Sequence, residues 1–200
     1  MSDGTPFFIL GMRRSGTSIL REIIASHPEV DECLFEPHDL WHAIMMDHFK
    51  RFEARPYVRE ILNDFETKPG LHGAKFVFNP GVEALEWVWL ERKYKPKFIF
   101  IIRDQSDVFA SYAKQDRRSV RGMVSEAEHL ATWLRLSGDW MRFPDEHGER
   151  ACLIRYEDLL TEPNATMRDA WRVLGVSPDH DIARKIRMPE HRKGLAKCSA

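Results

Sequence analysis

Short apolar runs alternate along this chain with segments whose apolar residues recur at helical spacing. Residues 97–103 are apolar at every internal position, and residues 7–10 form a shorter run of the same kind. Because such a run has no polar side to turn toward water, it predicts a central parallel strand covered by helices on both faces. In residues 18–26 and 125–143 the apolar positions recur every three or four residues, which predicts helices. The pattern therefore predicts a three-layer α/β/α domain with a central parallel sheet.

Residues typical of turns and helix caps predict further strands and helices. Two more strands are predicted, at residues 75–78 and 151–156, whereas residues 34–41 fit an irregular or short extended segment. The segment Asp104-Gln105-Ser106-Asp107 is placed to cap a helix over about residues 106–114. Asn164 is placed to cap another helix, which Gly175 closes. The whole chain of 200 residues suits a single domain, residues 1–200.

Composition narrows the classes of function. The net charge is −1, so no general attraction to nucleic acid or to an anionic membrane is expected, and any anion site must be local. The three cysteines are far apart and form no CxxC pair, which argues against a zinc site and favours a reducing, cytoplasmic location. No apolar run is long enough for a membrane span or a secretory signal. No constellation of metal ligands stands out, so a bound metal is not expected.

The loop after the first strand carries the strongest chemical signal. The two glycines of residues 11–16 have the spacing of a nucleotide P-loop, but Thr17 stands where that motif has its lysine. Positive charge lies inside the loop instead, on Arg13 and Arg14, and Ser18 supplies a hydroxyl. A strand, a glycine loop and a helix form a cradle in which N–H groups face an anion. The pattern also fits an ordinary strand–turn–helix with solvated arginines, and both interpretations stay open here.

The expected sheet collects the other candidate residues near this loop. In an open parallel sheet, ligands bind beyond the carboxyl ends of the strands. That rule brings the loop to the same edge as Arg103, which ends the central predicted strand, and Tyr156, which ends the last one.

Two motifs resemble those of the sulfotransferases that use 3′-phosphoadenosine 5′-phosphosulfate (PAPS), in particular the bacterial and carbohydrate-type members. The first is Arg14-Ser15-Gly16-Thr17-Ser18, with arginine where the family usually has lysine. The second is Arg103 at the end of a buried strand, with Ser111 in the helix that follows. The resemblance covers most of the chain, from Phe7 to about Gly175. It implies the P-loop NTPase-like sulfotransferase fold, with PAPS as sulfuryl donor and adenosine 3′,5′-bisphosphate (PAP) as product.

The resemblance also assigns a donor site. It implies that the first loop binds the donor through Arg13, Arg14, Ser15, Gly16, Thr17 and Ser18. Arg103 and Ser111 are implied to grip the 3′-phosphate. Tyr156 is implied to lie near the adenine, although a core tyrosine fits its position equally well, and Ile19 replaces the aromatic that the family often uses for stacking. The tail residues Arg192, Lys193 and Gly194 partly resemble a motif that closes over the 3′-phosphate.

Sulfuryl transfer needs a base for the acceptor proton and cations for the leaving phosphate. The resemblance to sugar-acting members implies Glu36 as the base, with His38 as the second candidate. It also implies that Lys75, expected at the start of a strand, and Arg14 stabilise the departing phosphate during in-line transfer. The implied acceptor is a hydroxyl of a small or carbohydrate-like molecule, or an amine, and no metal is required.

Two other functions fit parts of the pattern. A P-loop kinase or nucleotide hydrolase would need a loop lysine and a carboxylate for Mg²⁺, whereas this chain has Thr17 in the loop and ends its central strand in Arg103. A non-catalytic nucleotide-binding module could share the fold, but it has no need for Glu36 and Lys75.

Overall fold

The computed structural model describes residues 5–35, 67–78, 95–116 and 125–182 of the chain. These residues form a five-stranded sheet in the order β2-β3-β1-β4-β5, and each pair of neighbouring strands is parallel. The strands are β1 (Phe7–Met12), β2 (Glu32–Phe35), β3 (His72–Phe78), β4 (Lys97–Ile102) and β5 (Ala151–Arg155). All five carboxyl ends therefore meet at one edge of the sheet, as the apolar pattern predicts.

Five described helices surround the sheet. They are α1 (Thr17–Ala25), α2 (Gln105–Asp116), α3 (Glu126–His147), α4 (Tyr156–Thr161) and α5 (Pro163–Leu174). A 3₁₀ turn at Gly148–Arg150 leads from α3 into β5. Among the described residues, no helix combines the length and apolarity needed to cross a membrane.

Alternate residues of each strand pack on opposite layers of helices, because successive side chains in a strand point to opposite faces. On one side, which we call the α1 face, aliphatic residues such as Ile9 and Ile99 pack with residues of α1, α4 and α5. On the other side, the α3 face, aromatic residues such as Phe98 and Phe100 pack with α3. Both core clusters are buried, so the predicted three-layer α/β arrangement is confirmed.

The structure extends or corrects several predicted elements. β2 overlaps the start of residues 34–41, which were predicted as irregular or short extended, and in the described part of the chain this short strand pairs with β3. β3 begins at His72, three residues before its predicted start at Lys75, because residues from Gly73 onward pair with β1. The last strand ends at Arg155, and Tyr156 opens a short helix instead.

Of the two predicted helix caps, one is confirmed and the other is wrong. Residues 104–107 cap α2 as predicted, and the structure identifies Asp104 as the capping residue, since its Oδ1 accepts hydrogen bonds from the backbone N–H groups of Ser106 and Asp107. The capping role predicted for Asn164 is wrong, because α5 already begins at Pro163 and its N-cap is Glu162. Proline fits the first turn, where its missing N–H costs no hydrogen bond. The Asn164 side chain instead accepts a hydrogen bond from the backbone N–H of Ile182 and so fastens the chain that follows α5.

Candidate functional site

The loop between β1 and α1 is a tight turn at the carboxyl edge of the sheet. Both the backbone N–H and the hydroxyl of Ser15 donate to the carbonyl of Met12, at 3.0 Å and 2.7 Å. Arg14 and Gly16 have positive φ angles of 75° and 104°. A non-glycine residue in the left-handed region is uncommon. The turn therefore places the backbone of Arg14 in a strained conformation and fixes the direction in which its side chain leaves the loop.

The two glycines of the loop are required for different reasons. A Cβ on Gly11 would lie 2.6 Å from Ser15 Oγ and from Thr17 Cγ2, so β1 can pass this close to the loop only without a side chain at that position. At Gly16, where φ already favours glycine, a Cβ would collide with the ring of Tyr156. The loop backbone therefore rests directly on the Tyr156 ring.

Helix α1 begins at this loop with its N-terminal N–H groups uncapped. No described side chain caps it, and its first turn contains no acidic residue. The first intrahelical hydrogen bond runs from Leu20 N to the Gly16 carbonyl. The N–H groups at a helix start carry partial positive charge, so this end of α1 suits an anion. The residues predicted to bind there, from Ser15 to Ser18, all belong to this turn.

Lys75 reaches the helix start from within the sheet. It lies in the middle of β3, opposite Ile9 of β1, and is only 1% exposed. Its Nζ donates a hydrogen bond of 3.0 Å to Ser18 Oγ. The prediction that Lys75 begins its strand is wrong, but the long side chain still delivers its ammonium group to the first turn of α1.

The side chains of the loop arginines extend toward α2. Arg14 Nε donates to Ser111 Oγ at 3.0 Å. The guanidinium of Arg13 lies over the ring of Tyr112, with its carbon 5.9 Å from the ring centre. The structure thus brings Arg14 and Ser111 together, although they come from the two separate motifs.

Arg103 lies next to these groups, just beyond the end of β4. Its Nη1 donates to the backbone carbonyl of Arg14 at 3.2 Å, and its Nη2 donates to Asp107 at 2.9 Å. Its guanidinium carbon lies 4.8 Å from the centre of the Tyr156 ring. The Nε atom is buried and has no hydrogen-bond partner among the described residues. Arg103 is therefore oriented by its neighbours and keeps one donor for which they supply no acceptor.

The peptide that follows Arg103 is held by two side chains that the sequence did not indicate. Trp133 Nε1 of α3 donates to the Arg103 carbonyl at 3.0 Å. Glu157 Oε1 of α4 accepts from the backbone N–H of Asp104, also at 3.0 Å. The hydroxyl of Ser106 also donates to the Asp104 carboxylate. The hydrogen bond from the Ser106 hydroxyl is the main cause that lowers the pKa of Asp104, and the bond from the Asp107 N–H is the second. The carboxylate that caps α2 therefore stays ionised. The only sequence signal for these contacts is that Glu157 belongs to the same short motif as Tyr156.

Tyr156 is 7% exposed and lies between the loop and Arg103. Its ring supports the backbone at Gly16 on one side and the Arg103 guanidinium on the other. These contacts fit the interpretation of Tyr156 as a core residue beneath the site.

Several predicted residues lie outside the described part of the chain. These are Glu36 and His38, the candidate bases, and the tail residues Arg192, Lys193 and Gly194. Glu36 is the next residue in the sequence after Phe35, the last residue of β2. In the described ranges, no group of three or more histidine, cysteine or carboxylate side chains could hold a metal ion.

Comparison with protein families gives one match that spans nearly the whole chain. Residues 4–191 match the family model described as "Sulfotransferase domain". Comparison with curated protein sequences finds no significant match.

Three solved structures illustrate the likeness in fold. The mouse sulfotransferase SULT7A1 complexed with PAP is 14% identical over 94% of this chain and 67% of its own, with a TM-score of 0.62. The sulfotransferase from Alicyclobacillus acidocaldarius is 22% identical over 97% of this chain and 90% of its own, with a TM-score of 0.60. The sulfotransferase domain from the curacin biosynthetic pathway is 18% identical over 88% and 78%, with a TM-score of 0.61. At these identities the likeness shows the fold.

Proposed function

The chain belongs to the sulfotransferase family, and on this premise we propose that it transfers the sulfuryl group of PAPS to a hydroxyl or amine acceptor. Family and fold support sulfuryl transfer in general. One observation carries the choice of donor: Ser18 and Ser111 each accept a 3.0 Å hydrogen bond from a cationic side chain, Lys75 and Arg14 respectively. The mouse relative, whose structure contains PAP, supports the same donor.

The two serines are suited to the two phosphate-bearing ends of such a donor. A hydroxyl has one hydrogen to donate and lone pairs to accept with. Because the cation takes a lone pair, each serine keeps its own hydrogen for an anionic oxygen. The paired ammonium or guanidinium group adds positive charge at the same place, where an anion would gain charge-assisted hydrogen bonds.

The first end is the turn from Arg14 to Ser18 with the start of α1. The uncapped N–H groups of α1 and the Ser18 hydroxyl would hold the 5′-phosphosulfate. Arg13, Ser15, Gly16 and Thr17 build or flank this turn. Bound PAPS would supply the sulfuryl group, which moves in line to the acceptor atom.

The second end is formed by Arg103 and Ser111. Arg103 Nε is a buried donor for which the described residues provide no acceptor, and a 3′-phosphate would provide one. Buried donors without acceptors are costly, so the group fits a site completed by a ligand. ATP has no phosphate at that position.

Lys75 and Arg14 are proposed to stabilise the phosphate as it departs. Lys75 delivers its charge beside Ser18, in a buried environment where electrostatic interactions are stronger than in water. Arg14 is held through Ser111 at the opposite side of the loop. Both cations are fixed before the donor arrives, so little reorganisation is needed.

Glu36 is proposed as the base that removes the acceptor proton, with His38 as the second candidate. The support is positional: β2 is parallel to the other strands, so its last residue, Phe35, lies at the carboxyl edge and Glu36 follows it in the sequence. We also propose four further residues of the donor site, which are Tyr156, Arg192, Lys193 and Gly194.

Further proposals concern the acceptor, the domain and the compartment. We propose a small-molecule or carbohydrate-like acceptor and a single domain over residues 1–200, since the described strands form one sheet. The buried free thiols of Cys33 and Cys152 support a reducing, cytoplasmic location.

Thermal unfolding with different nucleotides tests the donor. PAP should stabilise the full chain, by about 2.7 kcal/mol at 100 times its Kd, whereas ATP with Mg²⁺ should stabilise it far less. Stabilisation by ATP with Mg²⁺ alone would overturn the proposal in favour of a kinase or hydrolase. Binding of PAP without transfer from PAPS to any member of an acceptor library would indicate a binding module.

A Glu36→Gln variant separates proton removal from donor binding. Glutamine keeps the size of the side chain but is not basic, so turnover should be lost while the Kd for PAP stays at the wild-type value. His38→Asn is the matched variant for the second candidate. Full activity of Glu36→Gln together with loss of activity in His38→Asn would move the role to His38.

A further inference from the structure

The peptide group between Arg103 and Asp104 is held at both of its polar atoms by side chains from different helices. Its carbonyl accepts from Trp133 Nε1 of α3, and its N–H donates to Glu157 Oε1 of α4, each at 3.0 Å. The C=O and N–H of a planar trans peptide group point in opposite directions. Rotation of this plane would break both bonds together.

The orientation of this plane affects both halves of the proposed 3′-phosphate grip. Arg103 precedes the plane, and its guanidinium direction depends on the backbone there. Asp104 follows it and caps α2 through the N–H groups of Ser106 and Asp107. Ser111 lies about two turns along the same helix. A tilt of the plane would therefore displace the Arg103 side chain and the start of the helix that carries Ser111.

We propose that Trp133 and Glu157 are positioning residues for the 3′-phosphate, which act by fixing the Arg103–Asp104 peptide. This inference rests on the proposed function, in which Arg103 and Ser111 hold that phosphate. Neither side chain has a role in the transfer itself. Their function is to keep the arginine and the serine at a separation that suits one phosphate group.

The test compares two ligands that differ only in the 3′-phosphate, PAP and adenosine 5′-monophosphate (AMP). Trp133→Phe keeps an aromatic ring but removes the N–H donor, and Glu157→Ala removes the carboxylate acceptor. Each should weaken PAP binding about fivefold, the value of one hydrogen bond, and leave the Kd for AMP unchanged. A merely structural defect would weaken both ligands by the same factor, so the ratio of the two Kd values is the decisive readout.

Three control variants sharpen this comparison. Glu157→Gln retains an acceptor oxygen and should restore the wild-type ratio. Asp158→Ala removes a neighbouring carboxylate of α4, which lies 4.0 Å from Arg155 Nε in an exposed ion pair, and should leave the ratio unchanged. Trp140→Phe removes another indole of α3, one that packs on Phe100, and should lower stability without changing the ratio.

The outcomes separate this inference from the proposed function. If wild-type protein prefers PAP over AMP but Trp133→Phe and Glu157→Ala keep the full preference, the positioning roles are wrong and the proposed function stands. If wild-type protein shows no preference for PAP, the 3′-phosphate grip itself is wrong, and the positioning roles are overturned with it.

Discussion

The two faces of the sheet are built from different side chains. The α3 face is aromatic: Phe98 and Phe100 pack against Phe143, with ring centres 5.3 Å and 5.2 Å apart. The α1 face is mainly aliphatic, yet Lys75 projects from it to Ser18. Phe76, the next residue of β3, points to the aromatic side. Adjacent residues of one strand therefore belong to an apolar core and to the candidate site.

The buried side chains of the two faces contribute differently to stability and to the candidate site. Burial of aromatic area is strongly stabilising, and such residues dominate core energetics. Burial of an ammonium group is unfavourable unless it is paired or hydrogen-bonded. The α1 face also holds Cys33, a thiol whose pKa burial raises to about 12, so it stays neutral at physiological pH. Lys75, hydrogen-bonded to Ser18, is a buried lysine on that face, and in the proposed function its charge acts on the phosphate of the donor.

Phe143→Ala should have the largest effect on stability, and it tests the apolar role of the α3 face. Phe143 is 4% exposed, and truncation of a buried phenylalanine typically costs about 3–5 kcal/mol. Chemical denaturation should show this loss in the free energy of unfolding. The Kd for PAP should remain unchanged under conditions where the variant is folded, because Phe143 packs near the start of β4, away from the carboxyl edge.

Met141→Ala is the matched control on the same helix. Met141 is 49% exposed, so its truncation should change the free energy of unfolding by less than about 0.5 kcal/mol. A loss of PAP affinity in Phe143→Ala as large as its loss of stability would show that the two faces do not act separately.

Lys75→Met should have the next largest effect, and on activity instead of stability. Loss of one preorganised electrostatic group typically lowers kcat by about 10²–10³-fold, equivalent to about 2.7–4 kcal/mol. Methionine has a similar length and no charge to desolvate, so the free energy of unfolding should not fall. Steady-state kinetics with PAPS and denaturation of the same preparation measure the two quantities.

Lys97→Met is the corresponding control in β4. Lys97 Nζ donates at 3.1 Å to the carbonyl of Leu174, the last residue of α5, far from the carboxyl edge. Its replacement should cost about 1 kcal/mol of stability and leave kcat unchanged. Wild-type turnover by Lys75→Met would remove Lys75 from the reaction.

The parts of the fold that were predicted are those with a strong local pattern. β4 is apolar from Phe98 to Ile102 because both of its faces are covered, and α1 shows its buried stripe directly in the sequence. β2 was predicted only as an irregular or short extended segment that begins two residues too late, because the strand has four residues and its sole described partner, β3, lies more than thirty residues further along the chain. A short strand of that kind is stabilised by pairing that no local window contains.

Part of the candidate site was also predicted from the sequence, and part of it was not. The order and spacing of Arg14, Arg103 and Ser111 predicted which groups meet at the carboxyl edge, because that edge follows from parallel strands. The sequence did not predict that Arg14 binds Ser111. That contact depends on the left-handed turn at Arg14, which sets the direction of its side chain.

The sequence by itself thus determined the layers, the parallel sheet, the edge that is proposed to bind ligand and the types of residue that lie there. Local apolar pattern and turn chemistry are enough for these features, since each depends on a few consecutive residues. Only the tertiary structure decided how the Arg103–Asp104 peptide is held, by Trp133 and Glu157 from two other helices. It also decided that Lys75, in the middle of β3, delivers its ammonium group to Ser18. Hydrogen bonds between distant parts of the chain have directions that depend on packing, and no spacing in the sequence encodes them.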